Sequence, residues 1–139
     1  MFAEHASYEH ALPYLDQLDV DVITVEGATN NGMDLEHFGK LISKDKKIAL
    51  GVISHRTLQV ERPEDVADLI RRALKHIEPE RLILSSDCGF GRGAASRMHA
   101  FYKMVSLVRG ANMVRKELGL DEVYIPATDP QISMVPMAE

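Results

Sequence analysis

The sequence predicts an α/β fold built from parallel βα units. Three observations carry this: short runs rich in β-branched and aliphatic residues at Val20–Val25, Ile48–Ile53 and Arg81–Ser86, amphipathic stretches between and after them, and a repeat of about 30 residues, the size of one βα unit. Two architectures satisfy the pattern. One is a small open sheet in three layers. The other is a consecutive piece of a (βα)8 barrel, whose usual length of about 250 residues exceeds the 139 present here.

Taken in order, Tyr8, Leu12, Leu15 and Leu18 recur at helical spacing, with Pro13 starting that helix late or kinking it. Val20 to Val25 reads as a buried strand, ended by Glu26-Gly27 and the turn-forming Thr29-Asn30-Asn31-Gly32. Met33 to Ile42 reads as a short helix whose apolar side is Leu35, Phe38 and Leu41 or Ile42, followed by the basic end Lys44, Lys46 and Lys47. The second strand, Ile48–Ile53, stops at Ser54-His55-Arg56.

Pro63 at a first-turn position, with Glu64 and Asp65 near the positive end of the helix dipole, opens a helix striped by Val66, Leu69, Ile70, Ala73, Leu74 and Ile77. Pro79-Glu80 breaks it. The third strand, Arg81–Ser86, then delivers Asp87-Cys88-Gly89 to a loop with three glycines, Gly89, Gly91 and Gly93. A long helix from about Ala95 to Leu118 follows, its expected buried stripe being Phe101, Met104 or Val105, Val108, Ala111, Val114 and Leu118, with Gly119 as cap. The tail from Asp121 to Glu139 has three prolines and no period, and reads as extended or ordered against a partner.

Composition narrows the function. With 45% hydrophobic residues the chain is not generally disordered, and 16 Lys+Arg against 21 Asp+Glu, a net charge of -5, offer no basic field for nucleic acid. No apolar run approaches the roughly 20 residues of a membrane helix, and the opening MFAEHASYEH lacks the blocks of a signal peptide, so the expected setting is the cytosol without membrane attachment. One cysteine, Cys88, excludes an intrachain disulfide framework and a zinc site built from several cysteines of one chain.

Each strand ends in polar or reactive groups: Glu26, then His55 and Arg56, then Asp87 and Cys88. In parallel α/β folds the carboxyl ends of the strands converge on one rim, so Glu26, His55 and Cys88 should face a common site. Each residue also has a plainer reading: Cys88 as a small buried hydrophobe, Glu26 and His55 as solvated side chains, Arg56 and Arg92 as surface charges or anion holders. His5, His10, His37, His76 and His99 fall on predicted helices or their ends and read as solvated. A thiolate, a carboxylate and an imidazole are competent zinc ligands, but separations of 29 and 33 residues require any such site to be tertiary.

Several segments are recognisable together: Asp19 to Glu26, Leu50-Gly51-Val52-Ile53 with Val60-Glu61, and Glu80-Arg81-Leu82 running into Asp87-Cys88-Gly89-Phe90-Gly91. Over about residues 6–118 they resemble the C-terminal part of the cobalamin-independent methionine synthase family. The resemblance implies a zinc-dependent (βα)8 barrel in which a thiol is activated as a zinc-bound thiolate, and methyl transfer from a methyltetrahydrofolate to homocysteine. It implies that Cys88 and Glu26 are metal ligands, that Asp87 supports the metal site or binds the substrate amine, and that His55 lies near the proton-donating histidine, a position an ungapped count gives to Arg56. The family's His-x-Cys pair would fall at Phe2 and Glu4, which do not match.

By this resemblance the chain corresponds to the last three βα units of the barrel, as a domain over residues 1–118 with a tail over 119–139. Such a piece has two unpaired sheet edges and one apolar face, so it should self-associate or dock with a chain carrying further strands. Two other functions stay open. One is another thiol alkylation of the superfamily, of the epoxyalkane to coenzyme M type, with Arg56 or Arg92 holding a sulfonate. The other is a catalytically inactive binding module, because two ligands from one chain would hold zinc weakly.

Overall fold

The computed structural model describes residues 7–92 and 95–126. Phe2, Glu4, His5, Gly93 and the tail beyond Pro126, all of which figure in the expectations above, lie outside the described residues. The elements are α1 (Leu12–Leu15), β1 (Val22–Val25), α2 (Leu35–Leu41), β2 (Lys47–Ile53), α3 (Pro63–Ala73), β3 (Leu82–Ser86) and α4 (Arg97–Glu117), with 3-10 turns at Pro79–Arg81 and Phe90–Arg92.

The three strands form one parallel sheet in the consecutive order β1-β2-β3. Register aligns Ile23 with Ile48 and Leu82, and Val25 with Leu50 and Leu84, so these side chains share one face. Against that face pack Leu35 and Phe38 of α2, Val66, Leu69 and Ile70 of α3, and Leu107 and Val114 of α4, in one continuous core. Helices therefore cover a single side of a sheet with no reversal of strand order, the arrangement of a barrel wall rather than of an open sheet in three layers. β1 and β3 are edges, each paired with β2.

The opposite face corrects the expectation of a buried first strand. Val22 and Ile83 point there, each 39% exposed, and Thr24 beside them is exposed as well. Alternate burial along β1 is the mark of a sheet packed on one side. β2, flanked on both sides, is buried from Ile48 onward.

α1 is a single turn rather than a helix from Tyr8 to Leu18, because Pro13 sits at its start and the chain leaves it after Leu15. Leu12 is buried, and Tyr8 stacks edge-on against Phe38 with ring centroids 5.5 Å apart. Just past the end of α2 it is Ile42, not Leu41, that completes the buried side. α3 buries its expected stripe of Val66, Leu69, Ile70 and Ala73.

α4 buries Val105 and Val114 of its expected stripe and packs Val108 and Ala111 against the core, but leaves the large residues of that stripe outside. Lys103, Val105, Ser106, Leu107, Gly110 and Val114 are buried, while Phe101, Met104 and Leu118 are exposed. At Gly110 a methyl group would lie 2.7 Å from the Pro63 carbonyl oxygen and from Val66 Cβ. The lack of a side chain there lets the α4 backbone lie close against the start of α3. Gly119, at φ 71°, caps α4 as expected, with the Leu120 N–H reaching the Arg115 carbonyl at 2.9 Å.

Arg81, read from sequence as the start of a strand, is instead a buried plug. Its guanidinium donates to the carbonyls of Ile42, Ser43 and Lys46, satisfying backbone acceptors beyond α2. No helix among the described residues is long and apolar enough to cross a membrane.

Candidate functional site

The carboxyl ends of all three strands open on one rim. The loop after β1 carries Glu26, Gly27, Ala28 and Thr29, the end of β2 carries Ser54, His55 and Arg56, and the end of β3 carries Asp87 and Cys88. β2 lies between the other two, so a contact from β3 to β1 must pass over it.

Asp87 makes that contact. Its buried carboxylate accepts three backbone N–H groups from the loop after β1: Gly27 and Ala28 on Oδ1 at 2.9 and 3.0 Å, and Thr29 on Oδ2 at 2.7 Å. Its own N–H donates to the Ile53 carbonyl at 2.9 Å, fixing the far end to β2. Two glycines make room. A methyl group on Gly51 would lie 2.1 Å from Asp87 Oδ1, and one on Gly27 would lie 2.6 Å from Leu50 Cδ1 and 2.7 Å from the Gly51 carbonyl oxygen. A glycine inside a strand commonly marks such a close approach, which is the sequence signal that could have located this bridge.

Glu26 and Cys88 each adjoin in sequence one end of the Gly27–Asp87 hydrogen bond, so the bridge ties together the stretches of backbone that carry them. Cys88 is an exposed free thiol, which removes the plainer reading of it as a buried hydrophobe. Glu26 is half-buried. Its N–H donates to the Tyr8 hydroxyl at 3.3 Å, and its carboxylate lies 3.8 Å from Arg56 Nη2. Burial raises the Tyr8 hydroxyl above its ordinary pKa, the Glu26 N–H lowers it, and the carboxylates of Glu26, Asp87 and Asp34 raise it further.

His55 is half-buried, and its Nδ1 is a buried atom without a hydrogen-bond partner among the described residues. Ser54 Oγ and Thr29 Oγ1 share a hydrogen bond of 3.1 Å, tying the β1 and β2 loops together. Arg56 therefore meets Glu26, and Asp87 meets the backbone of the β1 loop. Tyr8, Gly27, Gly51, Ser54 and Thr29 take part in the rim although sequence reasoning did not select them.

The donor chemistry suits zinc in part. A thiol and a carboxylate on one rim are zinc ligand types, but zinc takes about four donors. No group of three or more His, Cys, Asp or Glu side chains able to hold a metal ion occurs among the described residues. Glu26 and Cys88 thus amount to half a coordination shell at most.

Of the remaining histidines, His10 and His76 are exposed as expected. His37 is not merely solvated: its Nδ1 lies 3.3 Å from the buried Asp34 carboxylate, which also accepts from the Ser7 hydroxyl and the Tyr8 N–H. His99 completes a capping box with Ser96 at the start of α4. An apolar groove of about 320 Å³ runs beside β3, lined by Leu82, Leu84, Val108, Ala111, Leu118 and Ile125 among others, and no rim residue lines it.

Comparison with known proteins adds the following. The family model described as the cobalamin-independent synthase catalytic domain matches residues 4–111. A methionine synthase of Thermococcus kodakarensis is 35% identical over 114 residues, which are 82% of this chain and 33% of that protein. A methionine synthase of Saccharolobus islandicus is 37% identical over the same shares. Among solved structures, a B12-independent methionine synthase from Shewanella sp. W3-18-1, in complex with selenomethionine, superposes with a TM-score of 0.71 at 34% identity, covering 80% of this chain and 31% of that one. The chain spans about a third of the length of the curated relatives it matches.

Proposed function

The chain belongs to the cobalamin-independent synthase catalytic-domain family, and from that premise we propose that it is a methyltransferase module of the methionine synthase type. It moves a methyl group from a methyltetrahydrofolate-type donor to the thiol of homocysteine or a similar acceptor, in methionine biosynthesis in the cytosol. What supports this reading is the family match together with the Asp87 bridge, which ties the loop after β1 to the end of β3 across β2.

In this reading Glu26 and Cys88 would hold zinc, with the other donors supplied from outside the described residues. Zinc, when bound, lowers the pKa of a thiol and holds it as a nucleophilic thiolate. The protein's residues supply the rest. Arg56, beside Glu26, orients that carboxylate, and Asp87 keeps the β1 and β3 ends in fixed relation. His55 is the proposed proton donor. As the new carbon–sulfur bond forms and the carbon–nitrogen bond of the donor breaks, the donor nitrogen takes a proton from the imidazolium form of His55, and the neutral ring left behind regains a proton from solvent.

The sheet also calls for cover. Among the described residues the outer edges of β1 and β3 have no strand partner, and these edges with the exposed face of Val22, Thr24 and Ile83 suit either a second copy or a separate chain bearing further strands. Size-exclusion chromatography with light scattering is expected to show association, and a stable, well-folded monomer would remove this part of the proposal.

Metal analysis tests the chemistry. Protein purified without chelator should contain stoichiometric zinc that is lost in Cys88→Ala. Absence of zinc, together with a melting midpoint indifferent to homocysteine, would leave the inactive binding module as the reading to keep.

A further inference from the structure

Lys103 is fully buried in α4, with 0% of its side chain exposed. An ammonium so placed must be paired and hydrogen-bonded to be tolerated. Its Nζ donates to the Gln59 carbonyl at 2.6 Å and to Glu61 Oε1 and Oε2 at 3.0 and 2.9 Å. Glu61 Oε1 also accepts the Ser54 N–H at 3.0 Å, and the Glu61 carbonyl accepts the Ser106 hydroxyl. The Arg56 N–H in turn donates to Ser54 Oγ at 3.2 Å.

The segment from Ser54 to Arg62 has no regular secondary structure, yet Lys103 and Ser106 of α4 hold its far part at Gln59 and Glu61, and the Glu61 side chain in turn holds its start at Ser54. We infer that Lys103 and Glu61 form a strut that sets the pose of His55 and Arg56 at the rim, with Lys103 a positioning residue acting through Glu61 and Ser54. This inference rests on the proposed reading of the rim as the reacting site, whereas the strut itself involves neither zinc nor a thiol.

Stability alone is a poor account of the pair, because well-packed apolar residues commonly replace a buried ion pair without loss. Leucine and methionine could fill the same space. What they cannot supply is an acceptor aimed at the Ser54 N–H and a donor aimed at the Gln59 carbonyl, the two directed bonds that hold this loop.

The test compares Glu61→Gln, Glu61→Ala and the double variant Lys103→Met/Glu61→Leu in the full chain. Three quantities are read: the melting midpoint, the hydrogen exchange of the Ser54 and Arg56 amides relative to that of Gly27, which Asp87 holds, and the NMR signals of the His55 ring. Glu61→Gln keeps an acceptor for Ser54 and should preserve the exchange ratio and the ring signals. Glu61→Ala should raise the ratio about tenfold or more and move the ring signals.

The double variant should recover the melting midpoint but not the exchange ratio, and it remains informative if Glu61→Ala does not fold. Exchange that follows the midpoint in every variant, with His55 signals unmoved, would overturn the strut. Zinc content and homocysteine binding, measured on the unaltered protein, judge the functional reading separately. Their failure would leave the exchange result standing.

Discussion

Replacing Asp87 by asparagine preserves shape while changing what the side chain can accept. The carboxylate receives two N–H groups on Oδ1 and one on Oδ2, whereas an amide has one acceptor oxygen and a nitrogen that only donates. In the better orientation the amide oxygen serves Gly27 and Ala28, and the Thr29 N–H faces another donor. One hydrogen bond to a charged acceptor is lost, worth about 1.5–3 kcal/mol, and the two retained become neutral and weaker. The expected loss is about 2–4 kcal/mol. For Asp87→Ala all three donors are stranded at about 3–6 kcal/mol, less than a simple sum because they share one partner.

Against a total of about 5–15 kcal/mol for a domain, either change is readily measured by urea denaturation at neutral pH. The loss should be accompanied by faster amide exchange at Gly27, Ala28 and Thr29. An Asp87→Asn variant as stable as the parent, with those amides still protected, would refute the bridge as the element that organises the rim.

Gly51→Ala drives a methyl group to 2.1 Å from Asp87 Oδ1 and 2.6 Å from Asp87 Cα, so it should destabilise by at least about 2 kcal/mol in the same denaturation assay. Asp34 is pushed upward by burial, but the Ser7 hydroxyl, the Tyr8 N–H and His37 together take its carboxyl below the ordinary value. Its contribution to stability is therefore complete above the unfolded value of about 4 and is lost as pH falls through the lower folded one, so acid titration of Asp34→Asn should give a shallower loss of stability below about pH 4 than the parent shows. The exposed Cys88 should react with a thiol reagent in the native protein without denaturant, and added zinc should slow that reaction if the thiol is a ligand; a rate that zinc leaves unchanged would argue against ligation.

Much of the frame is legible from local pattern. The β-branched run before Glu26 and the apolar stripe of α3 state their structure directly, because each buries one face against a neighbour nearby in sequence. That the strand ends followed by Glu26, His55 and Cys88 lie at the same end of the sheet also follows from parallel strands. What local pattern cannot disclose is any choice made by a distant partner. On α4, Gly110 lies close against Pro63 and Val66 while Phe101 and Leu118 stay exposed. Lys103 reads as a solvated charge until Glu61 is placed beside it, and Gly51 reads as a weak point in a strand until the Asp87 carboxylate is seen lying against it.

The order in which parts of this molecule assemble follows from its sheet. Ile23 meets Ile48, about 25 residues on, and Ile48 meets Leu82, about 34 residues on, so each pairing closes a modest loop at modest entropic expense. Asp87 reaches Gly27 across 60 residues, spanning both crossovers. That tie should close after the two pairings have brought its ends together, because a long-range contact carries the larger loop-closure cost. The rim should be the last part to mature during folding and the first to loosen, with the wall beneath it intact.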